Sequence, residues 1–140
     1  MTTNIFLQAT PENTIYNGKL GYVILDGPLR PGHVLVAIKS EVKDLHQADP
    51  NELSDMVKLA QVTSRAIVDE LGCEKTYMVA IGDKDPHYHV HLLPRFNSDP
   101  SLGPGVFGSD GWGQNFPAEP DMEEVKRVAN VLRARLNDLE

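Results

Sequence analysis

The spacing of apolar positions changes several times along the chain, and each change marks an element. Residues 14–26 alternate as paired strands do. Thr14-Ile15-Tyr16 leads through Asn17-Gly18 into Lys19-Leu20-Gly21-Tyr22. Asn-Gly tolerates the positive φ angles of a type I′ turn, so this stretch predicts a hairpin whose second strand runs from Leu20 to Asp26. Gly27 to Gly32 (GPLRPG) is turn chemistry, and His33 to Lys39 (HVLVAIK) is a short, nearly continuous apolar strand. Over residues 50–71 the spacing becomes three and four. Leu53, Met56, Val57, Ala60, Ile67, Val68 and Leu71 form one stripe, which predicts a helix. Asp49 can cap it, Pro50 suits its first turn, Glu52 stands where a capping box needs it, and Gly72 can take the left-handed conformation that ends it. Tyr77 to Gly82 and His87 to Pro94 predict two more strands around a GDKDP turn. Residues 97–118 are rich in Gly and Pro and read as a long ordered loop. Asp121 starts a last helix with Met122, Val125, Ala129, Leu132, Leu136 and Leu139 on one stripe. Strands in a run, with one helix in the middle and one at the end, predict an α+β domain: an antiparallel sheet of about five strands with the helices on one face.

No repeat, low-complexity tract or linker divides the 140 residues. One domain is expected, with its core over about 14–96, the loop over 97–118 and the last helix over 121–139. A chain of this length buries roughly two-thirds of its unfolded surface and can fold without staples. The net charge of −7 argues against broad nucleic-acid or membrane binding driven by charge. No apolar run approaches the length of a membrane span. The first residues, MTTNIFLQATPENT, have neither the basic nor the apolar region of a secretory signal. The single cysteine, Cys73, cannot form an internal disulfide, which suits a reducing, cytoplasmic setting.

The chemistry concentrates on one strand. Five histidines exist in the chain, and His87, His89 and His91 lie within five residues. A strand repeats every two residues, so three imidazoles emerge on one face while Tyr88, Val90 and Leu92 are free to pack on the helices. Three neighbouring rings that can each charge repel one another, which makes a purely structural role a poor choice. Two chemistries remain. The rings can ligate a metal, with His33, Asp83 or Asp85 completing the set. Alternatively, one imidazole can attack phosphorus and leave a phosphoramidate that water cleaves. Such a nucleophile needs one ring nitrogen held as N–H by an acceptor, and donors for the phosphate and leaving group. The flanking histidines are expected to supply those donors, which makes the middle ring the natural nucleophile.

His87-Tyr88-His89-Val90-His91-Leu92-Leu93, followed by Pro94-Arg95, resembles the motif of the histidine triad (HIT) family of nucleotide hydrolases and transferases. Pro31-Gly32-His33-Val34-Leu35-Val36 resembles that family's upstream strand. The resemblance covers about residues 14–96. It implies a HIT-like fold, usually a homodimer with a joined sheet. It implies attack at the α-phosphorus of a nucleoside 5′-phosphoryl substrate, of the diadenosine polyphosphate or nucleoside phosphoramidate type, releasing nucleoside monophosphate. His89 would be the nucleophile, His91 a donor to the phosphate or the departing atom, His87 a residue that fixes the rings, and His33 a partner behind them. No metal is required for this chemistry, although some polyphosphate substrates are used as Mg2+ complexes.

Two departures bear on the substrate. Many members carry Asn or Asp eight residues before the Pro-Gly-His histidine, on the ribose. That position is Leu25, and Asp26 is one step off. One step along a strand reverses the side chain, so Asp26 is expected to face away unless the turn is one residue shorter. Many members also have Gln and Ser or Thr in the loop before the triad, where this chain has Gly82-Asp83-Lys84-Asp85-Pro86, with Lys84 as a substitute charge. Arg95 can hold a phosphate, and Trp112 or Phe107 can stack on a base or pin the loop. Removal of His89 is expected to leave the fold largely intact, since an exposed site histidine packs little. Two other readings remain: a nucleotide-binding module without hydrolysis, and a metal-dependent enzyme using the His triplet.

Overall fold

The computed structural model describes residues 4–139. Five strands, β1 (Thr14–Gly18), β2 (Gly21–Ile24), β3 (Val34–Ala37), β4 (Lys75–Val79) and β5 (His89–Arg95), form one antiparallel sheet in the order β1-β2-β3-β5-β4. Helices α1 (Pro50–Leu71) and α2 (Met122–Leu136) pack against the same face. The α+β architecture expected from the spacing of apolar positions is the one observed.

Each strand divides its side chains by parity. Val23, Val34, Val36, Val90 and Leu92 enter the core under the helices, beside Met56, Leu59, Ile67 and Leu132. The opposite parity points to the other face. There Tyr22, Ile24, Leu35 and Ala37 meet Phe6 of the N-terminal segment. Leu93 meets Val106 and Phe116 of the long loop. This second face is therefore covered at both ends, by the N-terminal segment over β2 and β3 and by the loop over β5. His89 and His91 lie between the two covers.

Local signals explain most boundaries. Asp49 accepts from the N–H groups of Asn51 and Glu52, and Gly72 closes α1 at φ 65°. Glu52 departs from the capping-box expectation, because its carboxylate accepts the Ser40 hydroxyl at 2.7 Å instead. Val57 is 45% exposed, and Leu59 holds the core position on α1. The hairpin turn also differs. Asn17 and Gly18 remain in β1, Gly18 pairs with Gly21, and Lys19-Leu20 make the turn. Asn17 is held there by Lys39, whose ammonium donates to Oδ1 at 2.8 Å. β4 starts two residues earlier than its apolar run, because its register against β5 pairs Lys75 with Arg95 and Val79 with His91. The long loop contains a short 3-10 turn, Gly103–Phe107. Gly32 sits at φ +89°, and a Cβ there would come within 2.6 Å of Leu71 Cδ1. That close approach explains the glycine before His33.

Candidate active site

His33, His89 and His91 converge where β3 and β5 run side by side. Leu35 pairs with His91 and Ala37 with His89 across the two strands. The rings of His89 and His91 stand 5.3 Å apart, and those of His33 and His91 5.2 Å apart. His33, His87 and His89 are all buried. The expectation of an exposed site histidine is thus corrected: His89 is 4% exposed, with Phe6 against its ring at 5.3 Å.

Backbone groups set the protons on these rings. The N–H of Leu29 donates to His33 Nδ1 at 2.8 Å, so neutral His33 carries its proton on Nε2. That Nε2–H donates to His91 Nδ1 at 3.0 Å, which leaves the His91 proton on Nε2. Burial, with the charges of His91 and Arg30 adding to it, pushes His33 down to about 3. Burial and the neighbouring His89 push His91 down to about 4. Both rings are neutral at physiological pH, as the relay requires. His89 Nδ1–H donates to the carbonyl of His87 at 2.7 Å, because a carbonyl can only accept. Its Nε2 therefore keeps a lone pair. His91 offers an N–H beside it.

His87 departs from the expected donor role. Its Nε2–H donates to the Ile38 carbonyl at 2.6 Å, and its Nδ1 accepts from the Asn4 amide at 2.9 Å. Both nitrogens are engaged, and neither is left to donate to a phosphate. Burial holds this ring below its ordinary range, against the pull of the Ile38 carbonyl and the Glu41 carboxylate.

A cleft of about 400 Å³ opens over His89 and His91, lined also by Asp26, Gly27, Leu29, Leu35, Ile81, the 82–85 loop and Trp112. Asp26 and Leu25 exchange their expected places. Tyr22 and Ile24 face this side of the sheet, and Asp26 follows their parity into the cleft. Leu25 packs toward the helix-side core. Lys84 lines the cleft, the sole cation among the described lining residues, beside the carboxylates of Asp26, Asp83 and Asp85. Trp112 is there too. Its rings lie 4.8 Å from His91, 6.0 Å from His33, and stacked at 4.6 Å on Phe107. Phe107 pins the loop through Tyr77, whose hydroxyl also accepts from Gly103 N–H at 2.8 Å.

Arg95 does not line the cleft. It lies six residues beyond His89 on β5, roughly 20 Å along a strand. Arg30 holds that end together. It donates to Asp99 at 2.9 and 3.1 Å and to the Pro94 carbonyl at 2.9 Å, over the ring of Phe116. Burial raises the Asp99 pKa, but the Arg30 bonds outweigh it and the carboxyl lies below its usual range. Cys73 is buried, which pushes its thiol up, and His46 is exposed beside Asp44. Among the described residues no three His, Cys, Asp or Glu side chains are arranged to hold a metal ion. No described helix is long and apolar enough to cross a membrane. Sequence reasoning missed Asn4, Phe6 and the Ile38 carbonyl, since none carries a local chemical signal.

The model of the HIT domain matches residues 8–98. The chain belongs to the HIT domain family. This HIT domain is 35% identical over 96 residues to the asymmetrical bis(5′-nucleosyl)-tetraphosphatase of Schizosaccharomyces pombe, covering 63% of this chain and 52% of that protein. It is 28% identical over 113 residues to the bis(5′-adenosyl)-triphosphatase of Saccharomyces cerevisiae, covering 74% and 54%. The chain spans about half the length of these curated relatives. Among solved structures, a zinc-bound histidine triad family protein of Mycobacterium smegmatis superposes with a TM-score of 0.70 at 26% identity, over 97% of this chain and 94% of that one. A hypothetical histidine triad nucleotide-binding protein of Sulfolobus tokodaii shares the fold with a TM-score of 0.68 at 22% identity, over 96% and 90%.

Proposed function

We propose that this HIT domain hydrolyses a nucleoside 5′-phosphoryl substrate at its α-phosphorus through a nucleotidyl-His89 intermediate. One observation carries the reading: His89 keeps the lone pair on Nε2 because its other nitrogen is bound to a carbonyl. The lone pair forms the N–P bond as the bond from phosphorus to the leaving group breaks. Phosphorylated His89 is then a cation, which the His87 carbonyl stabilises through Nδ1–H. His91 Nε2–H, set by the relay from Leu29 through His33, donates to the phosphate or the departing atom. Water next displaces His89, the N–P bond breaks, a water proton passes to solvent and nucleoside monophosphate leaves. The names of the fungal relatives support a dinucleoside polyphosphate substrate. Lys84, the cation lining the cleft, is assigned to its phosphates.

The test is rapid quenching with diadenosine polyphosphates and an adenosine phosphoramidate, each labelled at the α-phosphorus, with and without EDTA. Label should accumulate on the protein at His89 and decay into AMP, and with the phosphoramidate it should do so with or without the chelator. Turnover without labelled protein would sink the covalent route. Loss of phosphoramidate turnover to chelator would favour the metal reading, and bound AMP without turnover would favour a binding module.

Asp26 is assigned to the ribose hydroxyls. A carboxylate hydrogen bond of this kind contributes about 1.5–3 kcal/mol, so Asp26→Ala should raise KM by roughly tenfold or more. Leu25→Ala should leave KM unchanged and lower stability by about 1–2 kcal/mol, since only a half-buried packing contact is lost. Steady-state kinetics beside urea melts of both variants separate the two roles. The reverse pattern would put Leu25 in the site.

A further inference from the structure

His87 is a buried histidine with both nitrogens occupied, and its outer partner comes from the far end of the chain. Asn4 is 83 residues away in sequence. Its side-chain orientation is not arbitrary. Oδ1 accepts from the N–H groups of Phe6 at 3.0 Å and Leu7 at 3.3 Å, so Nδ2 is the group that faces His87. An amide nitrogen only donates, and His87 Nδ1 can therefore only accept. The His87 proton is forced onto Nε2, where it reaches the Ile38 carbonyl. The same histidine supplies, from its backbone, the carbonyl that holds His89 Nδ1–H. Phe6, two residues on from Asn4, lies against His87 at 5.0 Å and His89 at 5.3 Å. Glu41, Lys43 and Asp85 line the hollow on the outer side of this contact.

We propose that Asn4 is a positioning residue, whose amide N–H fixes the tautomer and orientation of His87 and through it the aim of His89. The proposal rests on the reading of His89 as nucleophile. A mis-aimed nucleophile loses rate with little loss of binding, and small displacements cost about tenfold to a hundredfold. The role is separable from a simple structural one. Asn4→Asp keeps an oxygen for the Phe6 and Leu7 N–H groups and replaces the donor with an acceptor.

The experiment combines kinetics with long-range 1H–15N spectra of the imidazoles in the full chain. Wild type should show His87 protonated on Nε2 and His89 on Nδ1. In Asn4→Asp the His87 nitrogen pattern should change, and kcat for AMP release should fall about tenfold or more with KM within twofold. The Asn4 amide also donates to Glu41 at 3.4 Å, so the new carboxylate will cost some stability, and near-ultraviolet circular dichroism with a melt must show the variant folded at the assay temperature. Unchanged His87 nitrogens, or an unchanged kcat, overturns the proposal. Absence of turnover in wild type counts against the functional reading instead, and the spectra then decide the Asn4 assignment alone.

Discussion

His89→Ala should abolish release of nucleoside monophosphate, with a loss on the order of 10⁴-fold or more, as when other covalent nucleophiles are removed. No neighbour can take its place. Both nitrogens of His87 are bound, to Asn4 and to the Ile38 carbonyl. His91 Nδ1 accepts from His33, so His91 has a proton to donate but no lone pair free to attack. Because His89 is buried against Phe6, the truncation also leaves a gap, and a stability loss of about 1–2 kcal/mol is expected. Single-turnover assays should therefore be run beside near-ultraviolet circular dichroism and a melt. Activity within tenfold of wild type, in a protein shown to be folded, would falsify the nucleotidyl-His89 route.

Acid should destabilise the fold well before its carboxylates are neutralised. His33, pushed down to about 3 chiefly by burial, and His91, pushed down to about 4, stay neutral in the folded protein over a range where the unfolded chain binds protons at its ordinary value of 6.5. The unfolded state holds more protons between those limits, so stability falls as pH falls. The contribution is complete above pH 6.5. It is lost through the window down to about 4 for His91 and about 3 for His33, and below that no further loss comes from these rings. Well inside the window a buried histidine costs about 1.4 kcal/mol per pH unit. His91 counts for less, because solvent reaches part of it. His87, lowered by burial, acts in the same direction. Urea melts at steps from pH 7 to 4.5 should show the decline. His33→Asn, which keeps an acceptor for the Leu29 N–H, should flatten it. A stability that is level over this range would refute the buried, neutral relay.

The residue order by itself settled the periodic and short-range features. The alternation of His89 and His91 with Val90 and Leu92 placed those two imidazoles on one face, because a strand repeats every two residues, whereas His87, expected in the same strand, lies just before β5. Asp49, Pro50 and Gly72 bounded α1, because caps act within one turn. Pro31-Gly32-His33 marked the strand beside the triad. Tertiary structure decided whatever depends on partners far apart in the chain. Leu25 stood at the counted position, but strand parity turned Asp26 into the cleft. Arg95 followed the motif directly, yet the length of β5 carried it away from the histidines. Trp112 reached His91 only because Phe107 and Tyr77 fold the loop back. The protons of the site were the least legible. His33 and His91 are 58 residues apart, and Asn4 and His87 83. A hydrogen bond forms only at a distance near 3 Å and in the right direction. Such contacts leave no period in a sequence, and only the packed chain decides which nitrogen keeps its lone pair.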